Sequence, residues 1–178
     1  MGQYFKGIIL DDENNIKVAM KPHYFNESAK LNEFSYFDND FLGYFMSNIY
    51  QKPKRVVFAG DYANEEENGV TLYKMAIGIE DKFTKNKYCI MNFPCVYSSD
   101  SGFLVNHTKK LFIDLNVYQC HNSYHPLPIL TSEGNGEGSG DYYGENEELA
   151  GTWARDLISL EESKPTDFEE ILPIFPIQ

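Results

Sequence analysis

Residues 4–20 read YFKGIILDDENNIKVAM. Two apolar runs flank Asp11-Asp12-Glu13-Asn14-Asn15, five residues that favour a turn over any regular element. The stretch predicts a strand at 4–10, a turn and a return strand at 16–20. A second hairpin is expected from 102–106 and 111–117, around His107-Thr108-Lys109-Lys110. Strands are also expected at 54–59, 70–78, 87–93 and 153–160, with a charged turn at 82–86. Between the first hairpin and residue 54, Phe41, Tyr44, Phe45 and Ile49 recur at the helical period, with Asn48 the polar exception. They predict a helix over 38–51, capped by Asp38 and stopped by Pro53. Residues 145–151 suggest a short helix. Thr166-Asp167-Phe168-Glu169 has a capping-box form and suggests a last one. The expected fold class is α+β, mainly antiparallel strands with one principal helix.

The order hairpin, loop, helix, strand occurs twice. Ile16 aligns with Ile113, Glu33 with Glu133 and Val56 with Ile158, so the spacing drifts only by small insertions. Residues 1–178 are therefore read as a single domain, with related halves at 3–63 and 101–163 and an insertion at 64–100. Each half is marginal for burying its own core, so the two are expected to pack together.

Lysine and arginine number 15 against 27 aspartates and glutamates, a net charge of −12. There is no basic surplus to displace phosphate counterions, so no nucleic-acid partner is expected. A basic protein surface or a small polar ligand fits the charge better. The start has no signal-peptide form, and Lys6 stands where a myristoylation motif needs Ser or Thr. No apolar run is long enough to span a membrane. Cys89, Cys95 and Cys120 are odd in number and form no CxxC, as expected of a reducing, cytoplasmic setting.

The densest chemistry lies in His125-Pro-Leu-Pro-Ile-Leu-Thr-Ser-Glu-Gly-Asn-Gly-Glu-Gly-Ser-Gly-Asp141. Glycines alternate with oxygen side chains, and two prolines stiffen the approach, so a shaped loop is expected rather than a flexible connector. The candidate binding residues are His125, Glu133, Asn135, Asp141, Tyr142, Trp153 and Arg155. An alternative is a small hydrolase with His125 as acid–base, Glu133 or Asp141 as carboxylate and Arg155 on an anionic group. A calcium-type spacing would use Glu133, Asn135, Glu137 and Asp141, but Gly144 stands where a bidentate Glu belongs. His121, His125 and Cys120 lack the spacing of zinc ligands. No P-loop or nucleophile elbow is present, and no cofactor is expected.

Several segments carry a resemblance: Met1-Gly2-Gln3-Tyr4, Gly60-Asp61-Tyr62-Ala63, the run 105–110, the run 125–136, and Trp153-Ala154-Arg155-Asp156. Together they resemble a family of small bacterial and phage-type proteins that begin MGQY. The resemblance covers most of the chain outside roughly 64–100. It implies a shared fold and no defined chemistry. The expected function is a non-catalytic binding protein presenting its acidic, glycine-rich loop, with a phage-type inhibitor or anti-defence role by analogy.

Overall fold

The computed structural model describes residues 2–80, 101–118 and 121–178. The expected strand at 87–93, its preceding turn and the three cysteines lie outside those residues. The fold is α+β. Strands β1 (Phe5–Leu10), β2 (Ile16–Met20), β3 (Lys54–Gly60), β4 (Phe103–Asn106), β5 (Leu111–Asp114), β6 (Ser132–Glu133), β7 (Leu157–Glu161) and β8 (Glu169–Glu170) form one sheet. Its order is β2-β1-β3-β7-β4-β5-β8, with β6 paired to β3. Pairing is antiparallel except for β3–β6 and β5–β8. Both expected hairpins form. Strand β1 is buried on both faces, which is why FKGIIL does not alternate.

The principal helix runs Asp40–Ser47 and lies on one face of the sheet. Other helical turns are Leu31–Phe34, Leu72–Met75, Leu115–Tyr118 and Pro126–Leu130, here α1, α3, α4 and α5 around the principal α2. Phe41 and Phe45 of α2 meet Phe58 of β3, and the Phe45–Phe58 centroids are 4.9 Å apart. A Cβ on Gly7 would stand 2.8 Å from the Phe45 ring, so glycine in β1 is what lets the helix seat. Burying each phenylalanine contributes roughly 1.5–3 kcal/mol. The helix cap is Asn39, whose side chain accepts from the Leu42 N–H at 2.8 Å. Asp38 was the expected cap, but it sits at φ 61°, one residue too early for cap geometry.

The strand order reads alike from both sides. β2-β1-β3 and β5-β4-β7 meet at the antiparallel β3–β7 pair. Each side also sends a segment across the junction. After α2, Tyr50 bridges in parallel to Leu160 of β7, and the Leu160 N–H donates to the Ile49 carbonyl at 3.1 Å. After α5, Ser132 pairs in parallel with Phe58 of β3, and the Phe58 N–H donates to the Thr131 carbonyl at 2.8 Å. By this bonding the counterpart of Glu133 is Gln51, not Glu33. Val56 and Ile158 are fully buried in one apolar cluster.

Five other expectations need correction. Residues 70–78 hold no strand. Thr71 caps α3, and Leu72 and Ala76, one helical turn apart, cover Ile8, Val57 and Ala59 on the back of the sheet. β5 ends at Asp114, where the chain turns into α4. β7 begins only at Leu157, because the Trp153 and Arg155 N–H groups are taken by Leu130 and Val56 carbonyls in a tight turn. The C-terminal helix is absent. Glu169 donates its N–H to Lys110 instead, adding β8 at the sheet edge. The short helix at 145–151 is a single 3₁₀ turn, Glu147–Leu149. No helix among the described residues is long and apolar enough to cross a membrane.

Candidate functional site

The site grows out of the end of β3. His125 caps α5 with its ring, Nδ1 accepting the Leu127 N–H at 3.2 Å, and Pro126 opens the helix where no N–H is needed. Thr131 and Ser132 hydroxyls donate back to Leu127 and Ile129 carbonyls, which ends the helix. The chain then enters β6, whose register sets Glu133 beside Ala59. The His-Pro-Leu-Pro approach is therefore helical, not an extended strut.

From Glu133 the glycine-rich loop folds on itself. Asp141 Oδ2 accepts the Gly136 N–H at 2.7 Å and the Gly138 N–H at 3.1 Å. Asn135 bonds twice to the Tyr142 backbone, at 2.9 and 2.8 Å. The loop is shaped, and its own oxygens shape it. Burial raises the Asp141 pKa, while the two N–H groups oppose the rise. Asn135 and Asp141 are thus engaged with backbone, and Glu133 with Arg155. The calcium-type spacing does not gather its oxygens. Among the described residues no group of three or more His, Cys, Asp or Glu could hold a metal.

Arg155 occupies a left-handed backbone conformation, φ 64°. Its Nε and Nη2 donate to the Glu133 carboxylate at 2.6 and 2.9 Å. Its Nη1 donates to Glu66 Oε2 at 3.2 Å, and Nη2 also donates to Glu66 Oε1. These bonds use four of the five guanidinium N–H donors and occupy both edges with carboxylate, so no two-point edge remains for a ligand anion. The carboxylates of Glu133 and Glu66 hold the Arg155 pKa above its ordinary value, and Arg155 holds Glu66 below its own.

These groups wall an open cleft of about 380 Å³, lined by Tyr62, Glu65, Glu66, Glu133, Glu137 and Arg155 around Ala63 and Gly134. Glu65 and Glu137 are exposed, and neither carboxylate has a partner among the described residues. Behind the floor lies Gln3, fully buried, with both amide atoms unpartnered. A Cβ on Gly134 would stand 2.4 Å from Gln3 Nε2, so glycine here is what lets the loop pack on that amide.

Of the seven residues singled out in the sequence, the structure brings Glu133 and Arg155 to this cleft. His125 is buried against Phe37, centroids 4.7 Å apart, and neither it nor Asp141 lines the cleft. The hydrolase grouping of His125 with Glu133 or Asp141 therefore does not converge. Tyr142 and Trp153 are core residues, and burial pushes the Tyr142 hydroxyl up to about 12. Glu66 and Gln3 were not foreseen. Glu66 is 89 residues from Arg155, and nothing local marks the pairing. No known family model, curated protein or solved structure matches the chain.

Proposed function

We propose that this chain is a non-catalytic binding protein whose cleft receives a positively charged group of a partner. The observation that carries the reading is a charge imbalance. Four carboxylates, Glu65, Glu66, Glu133 and Glu137, face a cleft in which Arg155, the one cation among the described lining residues, is gripped by two of them. The other two have no partner among the described residues, and a cation entering the cleft gains their field at little desolvation cost. With the resemblance to phage-type proteins, the biological form of this reading is an inhibitor that covers a basic surface of its target.

Calorimetric titration with hexalysine peptide tests the reading. The double variant Glu65→Gln/Glu137→Gln is expected to weaken binding by about tenfold. Asp167→Asn/Glu169→Gln removes the same charge beside β8, at the other end of the sheet, and is expected to change affinity by less than about twofold. Equal losses in the two variants would mean that overall charge, not the cleft, does the binding.

A further inference from the structure

The surface around the cleft narrows the partner further. Eight large apolar or aromatic side chains are exposed among the described residues, and three of them, Tyr4, Tyr62 and Tyr143, sit together here. Tyr62 lines the cleft. Tyr4 is tied to it through Asp61, which accepts the Tyr4 N–H at 3.0 Å and returns its own N–H to the Tyr4 carbonyl at 3.0 Å. The Tyr143 hydroxyl donates to the Gly138 carbonyl at 3.3 Å, beside Glu137. Each ring is 41–46% exposed. The hydroxyl contact anchors the Tyr143 ring, and the paired backbone bonds of Tyr4 with Asp61 fix the segments on which Tyr4 and Tyr62 stand. Anchored, exposed tyrosines offer apolar area at little entropy cost and are typical anchors of protein interfaces.

Resting on the cationic-cleft reading, we propose that the occupant is an arginine-bearing segment of a partner protein, with the guanidinium between the free carboxylates and a tyrosine ring. Two independent features favour arginine over lysine. A guanidinium is planar, so it stacks on a ring while its edge meets a carboxylate in two bonds; an ammonium can sit over a ring, as Lys6 does over Tyr73 at 3.8 Å, but has no flat edge for a two-point carboxylate pair. The cleft already shows this chemistry, since Glu133 and Glu66 grip the two edges of Arg155. A protein segment is favoured over a free polyamine because the tyrosines spread beyond the cleft and need a surface to cover them.

The test compares hexa-arginine, hexalysine and spermidine on the full chain by calorimetry. Hexa-arginine is expected to bind about tenfold more tightly than hexalysine, and both more tightly than spermidine. Tyr62→Ala/Tyr143→Ala should weaken hexa-arginine binding clearly more than hexalysine binding, bringing the arginine-to-lysine ratio close to one. Tyr62→Phe/Tyr143→Phe, which keeps the rings, should retain the preference. Both side chains are exposed, so folding is not at stake, and circular dichroism checks it. Equal affinity for the two peptides in the wild type, or a preference that survives loss of the rings, would overturn the arginine assignment while the cationic cleft stands. Spermidine binding as tightly as hexa-arginine would likewise overturn it. No binding of any of the three would overturn both.

Discussion

Arg155 keeps a left-handed backbone, φ 64°, that costs a non-glycine residue about 1–2 kcal/mol. The conformation persists because its guanidinium is fixed on two sides and its N–H donates to the Val56 carbonyl at 2.7 Å. The pairing has a pH signature. Glu66 has a folded pKa below its ordinary 4.5, chiefly through its hydrogen bond from Arg155. A lowered carboxylate pKa contributes stability that is present above pH 4.5 and lost as pH falls through the folded value. In urea unfolding, wild type should exceed Glu66→Gln by about 1 kcal/mol at pH 7, a modest figure because the pair is partly exposed. The gap should close as pH drops below 4.5. A gap that stays constant to pH 3 would show that the charge of Glu66 contributes nothing. Glu133 and Arg155 were legible in the sequence because each stands in a dense polar motif. Glu66 lay within the insertion expected at 64–100, and Gln3 counted only as part of the opening Met1-Gly2-Gln3-Tyr4 resemblance, with no site role.

At the scale of elements, hairpins and the principal helix could be read because their signals are local: turn residues between apolar runs, and a repeat of aromatics. What failed depended on distant partners. Residues 70–78 alternate well enough for a strand, yet the apolar back of β1 and β3 recruits Leu72 and Ala76 from a helical turn. Thr166 and Glu169 have cap spacing, yet a free edge at β5 takes the backbone. The glycine-rich loop could be recognised as shaped, but not its means: Asp141 accepts two of the loop's N–H groups, and Asn135 both donates to and accepts from the Tyr142 backbone. Two of its glycines separate conformation from packing. Gly134 and Gly136 both have positive φ, 92° and 97°. A Cβ at Gly136 meets nothing within 4 Å, whereas one at Gly134 strikes Gln3 Nε2 at 2.4 Å and the Ala63 nitrogen at 3.0 Å. Gly136→Ala should cost about 1–2 kcal/mol from backbone strain alone. Gly134→Ala should cost clearly more, about 3 kcal/mol or above, since the Ala63 backbone cannot yield. Chemical denaturation of the two variants checks it, and equal costs would mean that the close approach behind the cleft is not rigid.

For the whole molecule, the reciprocal crossing of the Tyr50 and Ser132 segments explains why the cleft lies where it does. Segment β6 reaches β3 of the other side, so Glu133 arrives beside the end of β3 and the loop that carries Glu65 and Glu66. The hairpins of this arrangement were legible. The crossing was not, because two-residue strands leave no periodic signal and their pairing is set by the sheet as a whole. The same architecture puts the acidic surplus of the chain to a local use, and the net charge of −12 makes that localisation the point to test. The direct measurement is a ¹H–¹⁵N correlation spectrum recorded during titration with hexa-arginine. The account predicts that amide shifts concentrate on Tyr62, Ala63, Gly134, Glu137 and Arg155, and that the Asp167–Glu169 segment at the other end of the sheet is unmoved. Shifts spread evenly over the acidic surface, or centred away from the cleft, would contradict it.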